Sequence, residues 1–161
     1  MNSLKINPMR TVKNILDVKG PHFNYISADS TVLESLALMQ CNNLSYVIVM
    51  ENGRYAGILS ERDYARKVIL QNRNSSTTKV KEIMANDLPV LDASTTVEKA
   101  MILMNGCKSR YLPVFEDFDF IGVITIHDLM REAMRDNDLK NVADGVITQT
   151  DTAGEYMHYW I

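Results

Sequence analysis

A hydroxyl and a carboxylate three residues apart recur in the same setting twice, in Gly57-Ile58-Leu59-Ser60-Glu61-Arg62-Asp63 and Gly122-Val123-Ile124-Thr125-Ile126-His127-Asp128. Each motif ends an apolar, β-prone run and opens an amphipathic stretch. Two chemistries fit this placement. Ser60 and Thr125 can cap a helix, with Asp63 and Asp128 in its first turn, where a carboxylate favours the positive end of the dipole. Alternatively, the hydroxyl and the free N–H groups of a helix start form an anion site, and the carboxylate accepts from both hydroxyls of a ribose. The second combination suggests a nucleotide. Gly57 and Gly122 sit inside strands, where glycine marks close approach to the backbone by something else.

Basic groups near the motifs could neutralise phosphate: Arg62, Arg66, Lys108 and Arg110. Arg62 stands beside Ser60, whereas the other copy carries His127, a candidate pH-sensitive phosphate contact or simply a partly exposed helix-start residue. This difference predicts that two binding sites would differ in affinity or in the number of phosphates held. Enzymatic chemistry has weaker support. The sequence shows no Ser-His-Asp set, no Walker-type loop and no metal-ligating cluster, so no catalytic or metal residue is assigned.

The spacing of the motifs, 65 positions, also matches Thr31-Val32 with Thr96-Val97, Leu38-Met39 with Leu103-Met104, and Tyr46 with Tyr111. The chain is therefore a repeat. Each copy reads as helix, strand, strand, helix. Thr31 with Glu34 predicts a capping box, as does Thr95 with Glu98 in the second copy. Asn52-Gly53 predicts a hairpin turn between the first pair of strands, while Glu116-Asp117-Phe118-Asp119 lacks glycine and is a weaker signal. Lead-in segments Val12-Lys13-Asn14-Ile15-Leu16 and Val80-Lys81-Glu82-Ile83-Met84 match at 68, so the first copy holds three extra residues before its Thr-Val helix. The polar run Gln71 to Thr78 is a linker. The expected division is 1–75, 76–137, and a tail at 138–161. Its closing run, Tyr156-Met157-His158-Tyr159-Trp160-Ile161, should dock on its own domain or a second subunit.

A net charge of -3 and a pI near 5.6 argue against a nucleic-acid partner, which needs a basic face. No apolar run reaches the ~20 residues of a membrane span. Cytoplasmic residence follows, with Cys41 and Cys107 as free thiols.

The Thr-Val helix starts, Tyr111-Leu112-Pro113-Val114 and the two Gly-x-x-[Ser/Thr]-x-x-Asp motifs together resemble a tandem pair of cystathionine-β-synthase (CBS) domains, a Bateman module of the stand-alone bacterial type. The resemblance covers residues 10 to 136. It implies an α/β (α+β) fold of two βαββα repeats packed as a pseudo-twofold disc, with two clefts between them. It further implies an adenine ligand such as AMP, ADP, ATP, NAD(H) or S-adenosylmethionine. By the family pattern Asp63 and Asp128 hold ribose hydroxyls, Ser60 and Thr125 approach phosphate, and Ile58 and Val123 flank the base. Ser45-Tyr46 and Arg110-Tyr111 line the clefts. The implied function is a non-enzymatic, regulatory sensor of energy or redox state that pairs as a homodimer and signals to an effector protein. The residues leave open a ligand-free interaction scaffold, or less strongly a nucleotide hydrolase.

Overall fold

The Asn52-Gly53 turn takes φ of 50° and 75°, as its residues favour, and joins β2 (Tyr46–Glu51) to β3 (Arg54–Ser60). The second hairpin, β5 (Tyr111–Glu116) to β6 (Asp119–Thr125), makes the same turn without glycine. Asp117 and Phe118 adopt φ of 49° and 70° there, so the register of the strands overrides the local cost of a left-handed Phe. Each hairpin is completed by a parallel strand, β1 (Tyr25–Ser27) on β2 and β4 (Leu91–Asp92) on β5. The result is two three-stranded sheets of order β1-β2-β3 and β4-β5-β6. β4 is shorter for a chemical reason. Ile48 donates its N–H to Asn24 O at 3.3 Å, but the matching residue is Pro113, which has no N–H to give.

The computed structural model describes residues 10–135, and the tail expected at 138–161 to dock lies outside them. Its helices are α1 (Val12–Lys19), α2 (Val32–Cys41), α3 (Glu61–Tyr64), α4 (Val97–Gly106) and α5 (Ile126–Arg135). α3 continues as a π turn over Ala65–Ile69. The fold class is the mixed α/β expected, with two repeat units. Cys41 and Cys107 are exposed and free.

The first capping box forms: Thr31 Oγ1 accepts from Glu34 N–H, and Glu34 accepts from Thr31 N–H at 2.7 Å. The second does not form at Thr95. The cap is Thr96, and the residue three along is Lys99, which carries no acceptor to complete a box. The linker run is not loose either. Ser75 O and Thr78 O accept from Leu33 and Val32 N–H at the start of α2, and Thr78 is buried.

The lead-in segments are exchanged between halves. Val12, Ile15 and Leu16 of α1 enter the core of the second half, with Leu91, Leu112 and Ile124, whereas Val80 and Ile83 enter the first, with Val47, Val49 and Leu59. Backbone bonds fix both insertions, Val12 N–H to Thr95 O and Val80 N–H to Ser30 O, each 2.9 Å. Ion pairs Arg10–Glu132 and Lys13–Glu116 add to the first.

This exchange accounts for the two motif glycines. A Cβ on Gly57 would lie 2.6 Å from Ala85 O, because Ala85 and Ile58 exchange two backbone hydrogen bonds. One on Gly122 would meet Leu16 Cδ2 at 3.1 Å, at a φ of 151° that disfavours any side chain. The close approach read from glycine is thus made by the exchanged segments of the chain itself. A third cluster, Ile48, Ile58 and Val123, joins the two sheets face to face.

Candidate functional site

Both Ser/Thr–Asp pairs form reciprocal caps. Ser60 N–H and Oγ donate to Asp63 Oδ2 at 3.1 and 2.6 Å, and Asp63 N–H returns to Ser60 Oγ at 3.3 Å. Thr125 N–H and Oγ1 both donate to Asp128 Oδ2 at 2.9 Å, and Asp128 N–H returns to Thr125 Oγ1 at 3.2 Å. The carbonyls just before the first strands close the same corners: Ser45 O accepts Glu61 N–H and Arg110 O accepts Ile126 N–H.

Each aspartate also meets a lysine, but from different places. Lys67, one turn further along the same helical segment, reaches Asp63 Oδ1 at 2.9 Å and Ile83 O at 2.8 Å. Lys19, at the end of α1, reaches Asp128 Oδ2 at 2.7 Å and Val123 O at 3.1 Å. Asp128 is 7% exposed, and burial alone works against its charge. The hydrogen bonds from Lys19 and Thr125 outweigh that, and hold the carboxyl below its ordinary value.

The expected cleft residues gather near the pseudo-axis. Tyr46 and Tyr111 pack ring on ring with centroids 4.4 Å apart, and Tyr111 OH meets Ser45 Oγ at 2.9 Å. Burial first, then the charge of Asp128, pushes the Tyr46 phenol up to about 12, so it stays a neutral hydroxyl beside that carboxylate. Ile58 and Val123 are buried between the sheets. Arg110 is half-buried, and His127 is exposed on the first turn of α5. Arg62 is exposed and donates to Lys108 O at 3.2 Å, so it ties α3 to the second half.

Between the halves lies a cavity of about 120 Å³, lined by Lys19, Gly20, His22, Asn24, Tyr46 and Val123 among others. Lys19 and Val123 connect it directly to Asp128. Lys19, Gly20 and the His22-Phe23-Asn24 segment line this candidate site and were missed by the motif reading. Their signal was the change of offset from 68 to 65. Strand register equates Ile26 with Leu91, and the lead-in equates Pro21 with Pro89, so the three extra residues are His22-Phe23-Asn24. Among the described residues no group of three or more His, Cys, Asp or Glu could hold a metal, and no helix is long and apolar enough to cross a membrane.

The family model of the CBS domain matches the chain twice, over residues 12–70 and 80–135. The mitochondrial CBS domain-containing protein CBSX3 of Arabidopsis thaliana is 33% identical over 136 residues, covering 79% of this chain and 66% of that protein, slightly under two thirds of its length. The CBS domain-containing protein YhcV of Bacillus subtilis is 30% identical over 73% of this chain and 84% of its own. A solved structure from Burkholderia ambifaria, described as a candidate signal-transduction protein with CBS domains, superposes with a TM-score of 0.75 at 34% identity. It covers 80% of this chain and 96% of that one. Two matched repeats, each carrying its motif at the corner between second strand and following helix, make this chain a member of the CBS-domain family, as a tandem pair.

Proposed function

We propose that the chain is a regulatory module that binds an adenine nucleotide between its two repeats and passes occupancy on to a partner protein. The observation that carries this reading is the cavity between the halves, lined by Lys19, whose ammonium pairs with the buried carboxylate of Asp128 behind it. A carboxylate accepts from ribose hydroxyls, a lysine answers phosphate, and Tyr46 offers a flat apolar face to a base. At about 120 Å³ the cavity is smaller than the ~300 Å³ of a typical small-molecule pocket, so binding widens it. Widening moves one half against the other. A ligand that favours the widened arrangement shifts the population toward it, and a partner that reads the arrangement senses the ligand. The reading is non-enzymatic: the motif carboxylates are capped and paired rather than poised for proton transfer.

Homodimeric association belongs to the same proposal. Ile69 and Leu70, at the end of the first motif helix, and Met130 and Met134, along α5, leave apolar area exposed. Division of the chain near residue 75 and residence in the cytoplasm complete it.

A thermal-shift panel of AMP, ADP, ATP, NAD, NADH and S-adenosylmethionine tests the reading on protein stripped of bound ligand. At 100 times Kd, binding adds about 2.7 kcal/mol, a rise of roughly 5–10 °C in Tm for a chain of this size. The Asp63→Ala/Asp128→Ala double variant should lose that rise. Complete, reciprocal caps favour a second reading, a scaffold in which the motifs only start helices. Under it no nucleotide shifts Tm, and the double variant simply melts lower.

A further inference from the structure

Three differences between the two clefts point in one direction. The first is space. The lead-in residue Gly20 corresponds to Leu88, which packs against the Ile48, Ile58 and Val123 cluster where the two sheets meet. Gly20 brings no side chain, and the inserted His22-Phe23-Asn24 carries the backbone outward before β1, so the cavity lies on this side. The second is charge. Lys19 faces Asp128, and the residue corresponding to Lys19 in the other lead-in is Asp87. The lysine that lines the cavity thus has no counterpart in the other lead-in, and Asp63 takes its lysine, Lys67, from its own helical segment instead. The third is the state of the carboxylates. Asp63 is committed at both oxygens, Oδ2 to Ser60 and Oδ1 to Lys67, whereas among the described residues every hydrogen bond to Asp128 falls on Oδ2. Oδ1 of Asp128 is the acceptor a ribose needs.

We infer that the chain takes one adenine nucleotide, in the cleft at Asp128, with Lys19 as its phosphate contact, and that the Asp63 cleft is a filled structural counterpart. The inference rests on the nucleotide-binding reading above and narrows it to one site. Lys19 pairs with Asp128 and lines the cavity, and in this proposal it turns its ammonium to the phosphate of the bound nucleotide. Lys67 plays the pairing role at the other corner, and its bond to Ile83 O ties it to the exchanged segment.

Titration calorimetry with AMP, ADP and ATP on ligand-stripped protein tests this. The expected stoichiometry is one nucleotide per chain. Asp128→Ala lowers affinity about 30-fold or more, the usual scale for a lost hydrogen bond to a charged group. Lys19→Met, which leaves the Thr125–Asp128 cap intact and so keeps the fold, weakens ATP more than adenosine. Two nucleotides per chain, or undiminished affinity in Asp128→Ala, would overturn the single-site inference while leaving nucleotide binding standing. Absence of binding by all three nucleotides would overturn both.

Discussion

Lys19 and Asp128 make a pair across the exchanged helix, and its worth depends on pH. The pairing depresses the folded-state pKa of Asp128, so the stability it contributes is present above the unfolded value near 3.8 and is lost as pH falls through the folded value. Lys19→Met should therefore cost about 1–2 kcal/mol at pH 7, the range for a partly buried charged hydrogen bond. As pH falls through the folded value the cost should shrink toward zero. Urea denaturation of both proteins across a pH series from 7 downward measures this, and a gap independent of pH would contradict it. At this scale the sequence disclosed the hydroxyl–carboxylate pairs fully, since capping and binding need the same spacing. It did not disclose the lysines. Lys67 is a neighbour on the same segment, but Lys19 reaches Asp128 only through a packing of α1 that no local pattern encodes.

At the scale of elements, the exchanged lead-in segments are what make two repeats one molecule. Val12 is fully buried in the core of the second half, and Val80 in the first. Val12→Ala should cost about 2 kcal/mol through lost burial and a residual cavity. Because Val12 serves the other half, amide hydrogen exchange in the variant should accelerate in β5 and β6 more than in β2 and β3. The reverse order would contradict the exchange. The repeat register made most elements legible, and its failures are instructive. Thr31-Glu34 and Thr96-Lys99 occupy the same positions, yet only the glutamate can close a box. The hairpin at Asp117-Phe118 forms because strand pairing on both sides leaves no other geometry, although Phe118 does not favour it. The glycines at 57 and 122 correctly announced a close approach, but sequence cannot say whether the approaching group is a ligand or the chain itself.

For the molecule as a whole, pseudo-symmetry sets the frame, and the departures from it are what the proposed single site rests on. Two motifs, two sheets and two exchanged segments build a shared interface at Tyr46, Tyr111, Ile58 and Val123. Against that frame, Lys19 opposite Asp87, Gly20 opposite Leu88 and the insertion at His22-Phe23-Asn24 break the equivalence. The asymmetry read from Arg62 and His127 pointed to unequal sites. The lead-in residues supply a stronger physical basis, because they line the cavity between the halves, whereas Arg62 and His127 are exposed. Binding of an adenine nucleotide between the repeats is the central claim. Native mass spectrometry of the stripped protein mixed in turn with AMP, ADP, ATP, NAD and S-adenosylmethionine tests it most directly, since it reads ligand mass and occupancy together. A mass increase matching one adenine ligand per chain, lost in the Asp63→Ala/Asp128→Ala double variant, is the predicted result; no adduct with any of the five, or adducts that persist in the double variant, would contradict it.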